Sequence, residues 1–504
     1  MMNVIKKFIN YNNMPKNPDN TFEIVLDKFY QGFSPAAHLN VLTELGNGGH
    51  ASVMQNVDVL TPDYITQGPG LLTLNNPEVV DQLINFILDQ PTAASKTYGI
   101  GTTKLFRITP TAVSKVVGPP AWPQTVTNMA DGQSLILLKG NLYGFYNKTL
   151  GGDIFKMPIS TEVVDPDWGS DSGAAGPTGY AALQKALHPS AKKEDLMTFG
   201  NGRYFGVYTE ATDTLEPTKL DFGNDHEVAD VLFHANQWWI AVNGGVSGAN
   251  RNRGQIYLYD GGAISSILSD ETAVGLQKIG FLYVVNGIVF VAYQDLSFSG
   301  GYKIGYVVGR QILPIAHFTG ALPTFAQKTL YKNTILFVSG SLIWSVGAII
   351  GELPYQISQH ADGGHATVGA IAAPFGVPMV ASTDGASAHK LAKFSGYDVA
   401  CNWKSLVIPL VHGRMLGYID EIIVLTGTLG ANARCDLVIE SDQASVSTTT
   451  AKQITGTGKR RHYFDKFGIA EIEDLRIFLD WTEGDVTNDC PIRKIVIRGH
   501  FVKK

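Results

Sequence analysis

The chain has 504 residues, which is long enough to bury a substantial core. Hydrophobic residues make up 44% of it and charged residues 17%, whereas about 25% charged residues is usual, so a mainly disordered chain is excluded. The formal net charge is −6. A protein that binds phosphate backbones over a broad surface carries a positive net charge. We therefore expect no general nucleic-acid binding.

No signal peptide and no membrane span is predicted. Residues 1–13 hold no apolar stretch of signal-peptide length, and the most apolar segment, Thr334–Ile350, is interrupted by a Ser-Gly-Ser turn. The three cysteines lack metal-ligand spacing: Cys401, Cys435 and Cys490. These features predict synthesis in a reducing cytoplasm, with no cofactor and no metal.

The first elements in chain order are an arm and a helix. Residues 1–27 are rich in Asn, Pro and Lys and predict an extended arm that orders against a partner. Asn76 can cap a helix whose first position is Pro77, and apolar residues follow at helical spacing. This pattern predicts one short helix over residues 76–89.

A repeat follows the predicted helix. A turn Asn, one variable residue and then an aromatic and β-branched strand recur five times, beginning at Asn141, Asn201, Asn236, Asn286 and Asn333. Asn141 and Asn333 are 192 residues apart, which makes four repeats of 48 residues on average, close to the ~40–50 residues of a propeller blade. Weaker copies at residues 101–106 and 375–380 extend the series. We predict an all-β fold with a β-propeller of six to seven blades over residues 28–410; a long sandwich or a β-helix with unrelated hairpins is the alternative.

The repeat stops near residue 410. In the segment Arg434–Glu440, apolar residues alternate with charged ones, which is typical of a sheet with one solvated face. Residues 411–504 are therefore predicted to form a separate C-terminal β-sandwich.

Candidate catalytic and metal-binding motifs are weak. His360–His365 places two imidazoles and one carboxylate close together, but the segment reads better as a polar loop between blades. Asp165–Asp171 resembles the opening of a calcium loop, although no Glu occupies its twelfth position. Ser382–Gly385 resembles the aspartate box of sialidase propellers only faintly. We predict no catalytic residue and no metal ligand.

The densest basic run is Lys459, Arg460, Arg461 and His462. Such a run forms either a solvated hairpin tip or a contact for an acidic partner surface. These four residues are the candidate partner-contact site.

Residues 28–110 resemble the opening of propeller-bearing structural proteins of tailed bacteriophages. The resemblance lies in the strand Lys28–Pro35, the element Gln67–Leu74, the short helix over residues 79–88, and a first blade of the form Tyr98–Ile108. It implies a non-enzymatic tail component, such as a nozzle, hub or fibre-attachment protein, that is assembled in the host cytoplasm and located in the virion tail. Its implied partners are other copies of itself and neighbouring virion proteins.

The alternative is a carbohydrate-binding or glycan-cleaving propeller that recognises a host glycan. Asp384 or Asp165 would serve as acids, and the stacking faces would be aromatic: Trp238, Trp239, Tyr204 or Trp344. Two carboxylates about 5–10 Å apart in the central funnel would favour this alternative.

Overall fold

The computed structural model describes residues 21–27, 51–59, 64–74, 80–92, 95–117, 119–172, 176–245, 253–268, 276–295, 300–347, 356–360, 364–398, 400–412, 415–441, 451–465, 467 and 472–503. Within these ranges the chain is almost wholly β-structure. The helical turns found there are two short 3-10 turns, Trp168–Ser170 and Glu210–Thr212. The all-β prediction is confirmed.

The described strands are numbered in chain order. The first five are β1 Thr21–Leu26, β2 Ala51–Gln55, β3 Val57–Asp58, β4 Thr66–Gln67 and β5 Gly70–Thr73. The next fifteen are β6 Ile84–Ile87, β7 Thr97–Gly101, β8 Lys104–Ile108, β9 Gln124–Thr125, β10 Asp131–Leu138, β11 Asn141–Asn147, β12 Gly152–Pro158, β13 Ser190–Lys193, β14 Leu196–Asn201, β15 Tyr204–Thr209, β16 Thr214–Asp221, β17 His226–His234, β18 Gln237–Gly244, β19 Arg253–Tyr259 and β20 Ile264–Leu268.

The remaining strands lie in the second half of the chain. They are β21 Leu276–Val285, β22 Ile288–Asp295, β23 Gly301–Val308, β24 Gln311–Thr319, β25 Lys328–Tyr331, β26 Thr334–Ser339, β27 Leu342–Gly347, β28 Gln356–Gln359, β29 His365–Ala372, β30 Met379–Asp384, β31 His389–Ser395, β32 Asn402–Ser405, β33 Ile408–Pro409, β34 Val411–His412, β35 Met415–Thr426, β36 Arg434–Ser441, β37 Lys452–Thr455, β38 Arg461–Asp465, β39 Asp474–Asp480 and β40 Ile492–Lys503.

The chain divides into two compact units. The ring unit comprises residues 72–342 and 364–393, and the two-sheet unit comprises residues 1–71, 343–363 and 394–504.

The ring unit is a closed circuit of antiparallel sheets. Sheet I is β6–β9, sheet II β10–β12, sheet III β13–β16, sheet IV β17–β20 and sheet V β21–β24, while β25–β26 belong to sheet VI and β29–β31 to sheet VII. The first strand of each sheet contacts the first strand of the next, and β29 contacts β6 to close the circuit. This arrangement is a β-propeller, and its seven sheets match the upper end of the predicted range.

A β-bulge recurs in the first strand of five sheets. It lies at Asn85, Gln133, Ala229, Gly280 and Gly369, where one extra residue interrupts the pairing with the second strand. A Cβ atom on Gly369 would lie 2.4 Å from the carbonyl oxygen of Ile84 in sheet I, and one on Gly280 would lie 2.1 Å from that of Pro323. Glycine is therefore required at these two bulges, because a neighbouring backbone, β6 at Gly369 and the connection before β25 at Gly280, approaches too closely for a side chain.

A repeated amide clamp joins the second strand of one sheet to the backbone before or within the first strand of the next. Asn147 at the end of β11 bonds both the N–H and the C=O of Ala186, at 3.1 Å each. Asn243 in β18 does the same with Ile279 of sheet V, at 2.8 and 2.7 Å. An amide side chain offers one donor and one acceptor in a fixed plane, so it can replace a missing rung of backbone pairing between two sheets.

The predicted role of the turn Asn is confirmed in part. Asn236, Asn286 and Asn333 have positive φ, in two-residue turns whose other central residue also has positive φ. Such turns match the right-handed twist of the strands they join. At Asn141 and Asn201 the Asn lies in a strand, and Gly140 and Gly202 take the positive φ instead.

The helix predicted over residues 76–89 is wrong for its described part. Residues 84–87 form β6, which pairs with β7, and residues 75–79 lie outside the described residues. Val80, Ile84 and Ile87 are buried, and their spacing fits a bulged strand as well as a helix. The pairing of β6 with β7, supported by its contacts with β10 and β29, decides between the two.

The two-sheet unit encloses one hydrophobic core. One sheet has the order β1-β40-β35-β34, with β38 on β35, and the other has the order β2-β32-β39-β36-β37, with β33 on β39. Both contribute to a single buried cluster, which includes Ile24, Ile422 and Ile497 from the first sheet and Trp403 and Leu437 from the second. The predicted one-sided burial of Arg434–Glu440 is observed in β36.

This unit has different boundaries from the predicted C-terminal sandwich. Strand β1 pairs with β40 from Thr21 opposite His500 to Leu26 opposite Ile495, and β2 pairs with β32. A self-contained sandwich over residues 411–504 is therefore not confirmed, because β40 pairs with β1 near the start of the chain and β39 pairs with β32, which precedes residue 411 and itself pairs with β2. Part of the predicted arm, residues 21–26, is a strand of this unit, whereas residues 1–20 and Lys28–Pro35 lie outside the described residues.

A glycine beneath an aromatic ring recurs in the second or third strand of two sheets. Gly144 lies opposite Phe155, and Gly206 opposite Phe199. A Cβ atom would lie 2.1 Å from the Phe155 ring at Gly144 and 2.4 Å from the Phe199 ring at Gly206. The ring covers the backbone at each glycine, so that neighbouring sheets can pack closely.

We expect Gly144→Ala to destabilise the ring unit by about 1–3 kcal/mol, because the new methyl group overpacks the Phe155 ring. The midpoint of urea unfolding measures this loss. Gly385→Ala is the matched control, since a Cβ atom there meets nothing within 4 Å. Equal midpoints for the two variants would contradict the role given to the Phe155 ring.

Candidate functional site

Several charged side chains lie in or next to the first strands of the sheets and bond to neighbouring sheets. Asp230 follows the bulge of β17, a position at which the other bulged strands carry Phe86, Ser134, Phe281 and Ala370. Its carboxylate accepts the N–H groups of Val231 at 2.9 Å and Leu282 at 2.7 Å. A charged side chain therefore replaces a small or apolar one and reaches the next sheet.

Asp230 forms a buried ion pair with Lys328 of sheet VI. The Lys328 ammonium also donates to the carbonyl of Leu282 at 2.7 Å, so one pair joins sheets IV, V and VI. Burial raises the pKa of Asp230 and lowers that of Lys328, and each charge partly offsets the effect on the other. Asp230 is 3% exposed, and its carboxylate is held by two N–H groups and the Lys328 ammonium.

Asp89 makes a second bridge. It follows β6 of sheet I, and its carboxylate accepts the Thr329 hydroxyl of sheet VI at 2.7 Å and the N–H of Ala373, next to β29, at 2.6 Å. Asp89 is solvent-accessible, yet desolvation by the surrounding protein raises its pKa, and its hydrogen bonds to Thr329 and Ala373 offset part of this effect. Burial and the Asp89 charge raise the pKa of Tyr283 in sheet V as well. Asp89 thus joins sheets I, VI and VII beside a phenol.

Lys192 makes the third bridge. Its ammonium donates to the side-chain oxygen of Gln90 at 2.7 Å and to the carbonyl of Leu137 in β10 at 2.8 Å. Burial lowers the pKa of Lys192. This bridge joins sheets I, II and III.

We call Asp89, Gln90, Lys192, Asp230 and Lys328 the ring bridges. Together they connect members of all seven sheets, and each ionisable group in them bonds to a neighbouring sheet. Sequence reasoning missed the ring bridges because their partners are distant in the chain. Lys328 and Leu282 are 46 residues apart, and Asp89 and Ala373 are 284 residues apart. The one sequence signal was an Asp within the apolar run Val228–Phe233.

The four predicted partner-contact residues do not share one environment. Lys459, Arg460 and Arg461 are exposed at the start of β38, and the Arg461 guanidinium stacks over the exposed Tyr463 ring at 5.6 Å. His462 is only 1% exposed and lies beside Phe464. Burial, with a contribution from Lys459, lowers the pKa of His462 to about 4. The run therefore presents three positive charges at neutral pH, and His462 belongs to the interior.

The proposed stacking aromatics are mainly parts of the core. Trp238 is buried between Phe205 and Phe233, whose ring centroids lie 6.4 and 4.8 Å away. Trp239 packs against the core between sheets IV and V. Tyr204 lies beneath the Arg203 guanidinium at 4.7 Å, and Trp344 is half-buried in β27 of the two-sheet unit.

The two acids proposed for the glycan alternative have structural roles in different sheets. Asp384 accepts the N–H groups of Ala386 and Ala388, and its ion pair with Lys390 at 2.8 Å lowers its pKa. Asp165 pairs through its backbone with Lys156 at the outer edge of β12, and burial and Asp171 raise its pKa.

The weak metal motifs are not assembled either. In the Asp165–Asp171 segment, the Asp167 carboxylate pairs with the Lys148 ammonium at 3.0 Å. This carboxylate therefore already has a protein cation as its partner. His360 belongs to the two-sheet unit and His365 to the ring unit, and residues 361–363 lie outside the described residues. Within the described ranges, no group of three or more His, Cys, Asp or Glu side chains is placed to hold a metal ion.

No protein-family model and no curated protein matches this chain. Several solved structures are similar to it. The propeller domain of the trilobed protease from Pyrococcus furiosus is 9% identical, with 62% of this chain and 94% of that one covered and a TM-score of 0.39. An oligogalacturonate lyase in complex with manganese is 9% identical over 68% of this chain and 98% of that one, with a TM-score of 0.45. TolB from Acinetobacter baumannii is 11% identical over 63% and 65%, with a TM-score of 0.32.

All three are under 25% identical to this chain, and the likeness concerns the fold alone. In the part of the chain that the structure describes, no helix has the length and apolar character needed to cross a membrane.

We expect Lys328→Met to destabilise the ring unit by about 3–5 kcal/mol, because it leaves the Asp230 carboxylate buried without its cation. Lys328→Met combined with Asp230→Asn should recover part of this loss, as measured by urea unfolding. Lys390→Met is the control: its partner Asp384 lies at a surface turn, and exposed pairs contribute about 0–1 kcal/mol. Equal losses for the two single variants would contradict the bridging role.

We expect His462 to make the two-sheet unit less stable in acid. Its pKa falls from 6.5 to about 4 on folding, so the unfolded chain binds the proton more tightly. The stability contribution is complete above pH 6.5 and is lost as the pH falls towards 4, with about 2 kcal/mol lost by pH 5. His462→Phe keeps a ring beside Phe464 but cannot titrate. An unchanged pH dependence of unfolding in this variant would contradict the burial of His462.

Proposed function

We propose that this chain is a non-enzymatic structural protein that acts by docking other proteins, as a component of the tail of a tailed bacteriophage. The observation that carries the proposal is the set of ring bridges. The charged groups at the centre of the ring bond to neighbouring sheets and thereby hold the ring closed.

The electrostatics of the ring bridges favour a scaffold. A catalytic carboxylate needs an accessible face towards its substrate, whereas Asp230 bonds to two N–H groups and one ammonium. A buried ion pair adds little net stability compared with apolar packing, but it penalises arrangements that leave one charge unpaired. Lys328 and Asp230 thus favour one relative placement of sheets IV, V and VI, which suits a rigid platform with loops available for partners.

The surface suits permanent protein contacts. Only 17% of the residues are charged, and the cores of protein interfaces are depleted in charge. The exposed run Lys459–Arg461 beside Tyr463 offers guanidinium and ammonium donors next to an aromatic ring. Arginine and tyrosine are enriched where partners bind, and we assign this surface to an acidic partner protein or to a second copy of the chain.

A second candidate is a glycan-acting propeller, and one observation favours it. Asp89 is a solvent-accessible carboxyl with a raised pKa beside the phenol of Tyr283. A glycan could bond to both groups, although Asp89 already accepts hydrogen bonds from Thr329 and Ala373.

We expect the purified chain to form rings of several copies in native mass spectrometry, or to co-purify with other virion proteins from a lysate of its source. Reversing the charge of Lys459, Arg460 and Arg461 to Glu should lower incorporation into these assemblies at least tenfold without unfolding the chain. Lys219→Glu, Lys278→Glu and Arg310→Glu together form the control, because these exposed basic residues belong to the ring unit. Charge reversal is preferable to deleting residues 413–504, which would remove the strand partners of β1 and β32.

A chain that stays monomeric in the lysate and binds a glycan array would contradict the docking function. Loss of that glycan binding in Asp89→Asn would then support the second candidate.

A further inference from the structure

Strand β38 lies at the edge of its sheet in the two-sheet unit. It pairs with β35 on one side, and no other described strand pairs with its opposite side. An edge strand presents unpaired N–H and C=O groups, which form a template for a strand of another chain. The open side of β38 is therefore a candidate interaction surface.

The pairing of β38 with β35 shows which backbone groups of β38 face outwards. The register places Thr426 opposite Arg460, and the Thr426 N–H donates to the Arg460 carbonyl at 3.0 Å. Hydrogen-bonded and non-hydrogen-bonded pairs alternate along an antiparallel ladder. Every second residue after Arg460 therefore turns its N–H and C=O groups away from β35. These residues are Arg461, Tyr463 and Asp465.

The side chains of the same three residues lie on the solvent face of the sheet. Arg461 and Asp465 are exposed, and Tyr463 is 59% exposed. The alternate residues His462 and Phe464 lie against the core. Neither Arg461 nor Asp465 forms an ion pair with a described residue. The strand thus presents a positive charge, an aromatic ring and a negative charge in this order.

Strand β38 lacks the features that usually prevent edge pairing. Natural proteins block an edge with proline, with a β-bulge or with like charges such as a row of lysines. The segment Arg461–Asp465 contains no proline and no glycine, and its pairing with β35 is regular over five residue pairs. Its two outer charges have opposite signs, so they select a complementary strand instead of repelling every strand.

We propose that β38 pairs with β38 of a second copy of this chain, antiparallel and about a two-fold axis at Tyr463. This inference rests on the docking function proposed above and names its partner. Arg461 of each copy then lies opposite Asp465 of the other, and the two Tyr463 rings lie opposite each other. Opposite charges and aromatic rings directly across an antiparallel pair stabilise it.

The backbone fits the same register. Each outward-directed residue of one copy meets an outward-directed residue of the other, so three pairs can each exchange two hydrogen bonds. A shift of one residue would set these groups against groups already bonded to β35. The alternation therefore restricts the register to even steps, and the charges of Arg461 and Asp465 favour the one centred on Tyr463.

The proposed contact makes one continuous sheet from the β1-β40-β35-β38 strands of two copies. A two-fold contact closes on itself, so it gives a dimer, and a larger ring needs a further surface. A contact between two short strands is small, and small interfaces are typical of weak association. We therefore expect the dimer to depend on protein concentration.

Sedimentation velocity of the purified full chain over a range of concentrations tests the pairing. We expect a monomer–dimer equilibrium. Asp465→Arg sets two arginines opposite each other, and Arg461→Asp sets two carboxylates opposite each other. Each single variant should weaken the dimer by roughly tenfold or more, because like charges across an interface are costly. The double variant Arg461→Asp with Asp465→Arg should dimerise like the natural chain, because it only exchanges the two charges.

A mixture of the two single variants is a second test. Each variant repels its own copies, whereas both cross-strand contacts between Arg461→Asp and Asp465→Arg are attractive, so the heterodimer should exceed either homodimer. Arg310→Asp is the matched control, because Arg310 is an exposed residue of the ring unit and its substitution changes the net charge as Arg461→Asp does. This control should dimerise like the natural chain.

Amide hydrogen exchange of the natural chain locates the contact. The N–H groups of Arg461, Tyr463 and Asp465 should exchange quickly in dilute protein and more slowly as the dimer forms. Those of His462 and Phe464, which bond to β35, should exchange at a rate that does not follow concentration.

A chain that is monomeric at every concentration, or single variants that dimerise like the natural chain, would overturn the pairing. A double variant that fails to dimerise would overturn it too. The docking function is tested separately by the lysate experiment. A monomer that still co-purifies with virion proteins would overturn the pairing alone, whereas a dimer that captures no virion protein would overturn the virion role alone.

Discussion

Closure of the ring is the constraint on which the ring unit depends. No sheet can cover both of its faces alone, so each first strand must contact the first strands before and after it, and β29 must contact β6. The bulges at Gly280 and Gly369 allow this close contact. At each, a neighbouring carbonyl oxygen lies so near that a Cβ atom would clash with it. The amide clamps then bond both backbone groups of one residue: Asn147 holds Ala186, before β13, and Asn243 holds Ile279 in β21.

The ring bridges also hold neighbouring sheets together, through charged side chains. In many proteins a charged cluster at the convergence of several sheets is a site for chemistry, because buried charges have shifted pKa values. Here the shifts of Asp230 and Lys328 come from burial and are partly offset by their mutual attraction. Structural ion pairs perturb pKa values as catalytic ones do, and the hydrogen-bond partners distinguish the two. The partners of Asp230, Lys328 and Lys192 named above are groups of neighbouring strands, of Asp230's own strand, or of Gln90 just after β6, which is the arrangement expected of a scaffold.

The two-sheet unit obeys a different constraint, because its strands come from distant parts of the chain. Strand β1 pairs with β40 across almost the whole sequence, and the β3–β4 hairpin meets Asp489. Contacts of this kind form late, since a long loop must close before they stabilise anything.

The sequence by itself determined what depends on local physics. Tight turns need residues that accept positive φ, and doubly buried strands need continuous apolar runs, so the 48-residue repeat already predicted a propeller. Only the tertiary structure decided the rest. The apolar spacing of residues 80–87 fits a helix as well as a strand, and β7 decides it by pairing. His462 stands in a basic run, yet β38 turns it inward. Asp89 looks like an ordinary polar residue in the sequence, because its partners Thr329 and Ala373 are hundreds of residues away, and composition and spacing hold no information about such contacts.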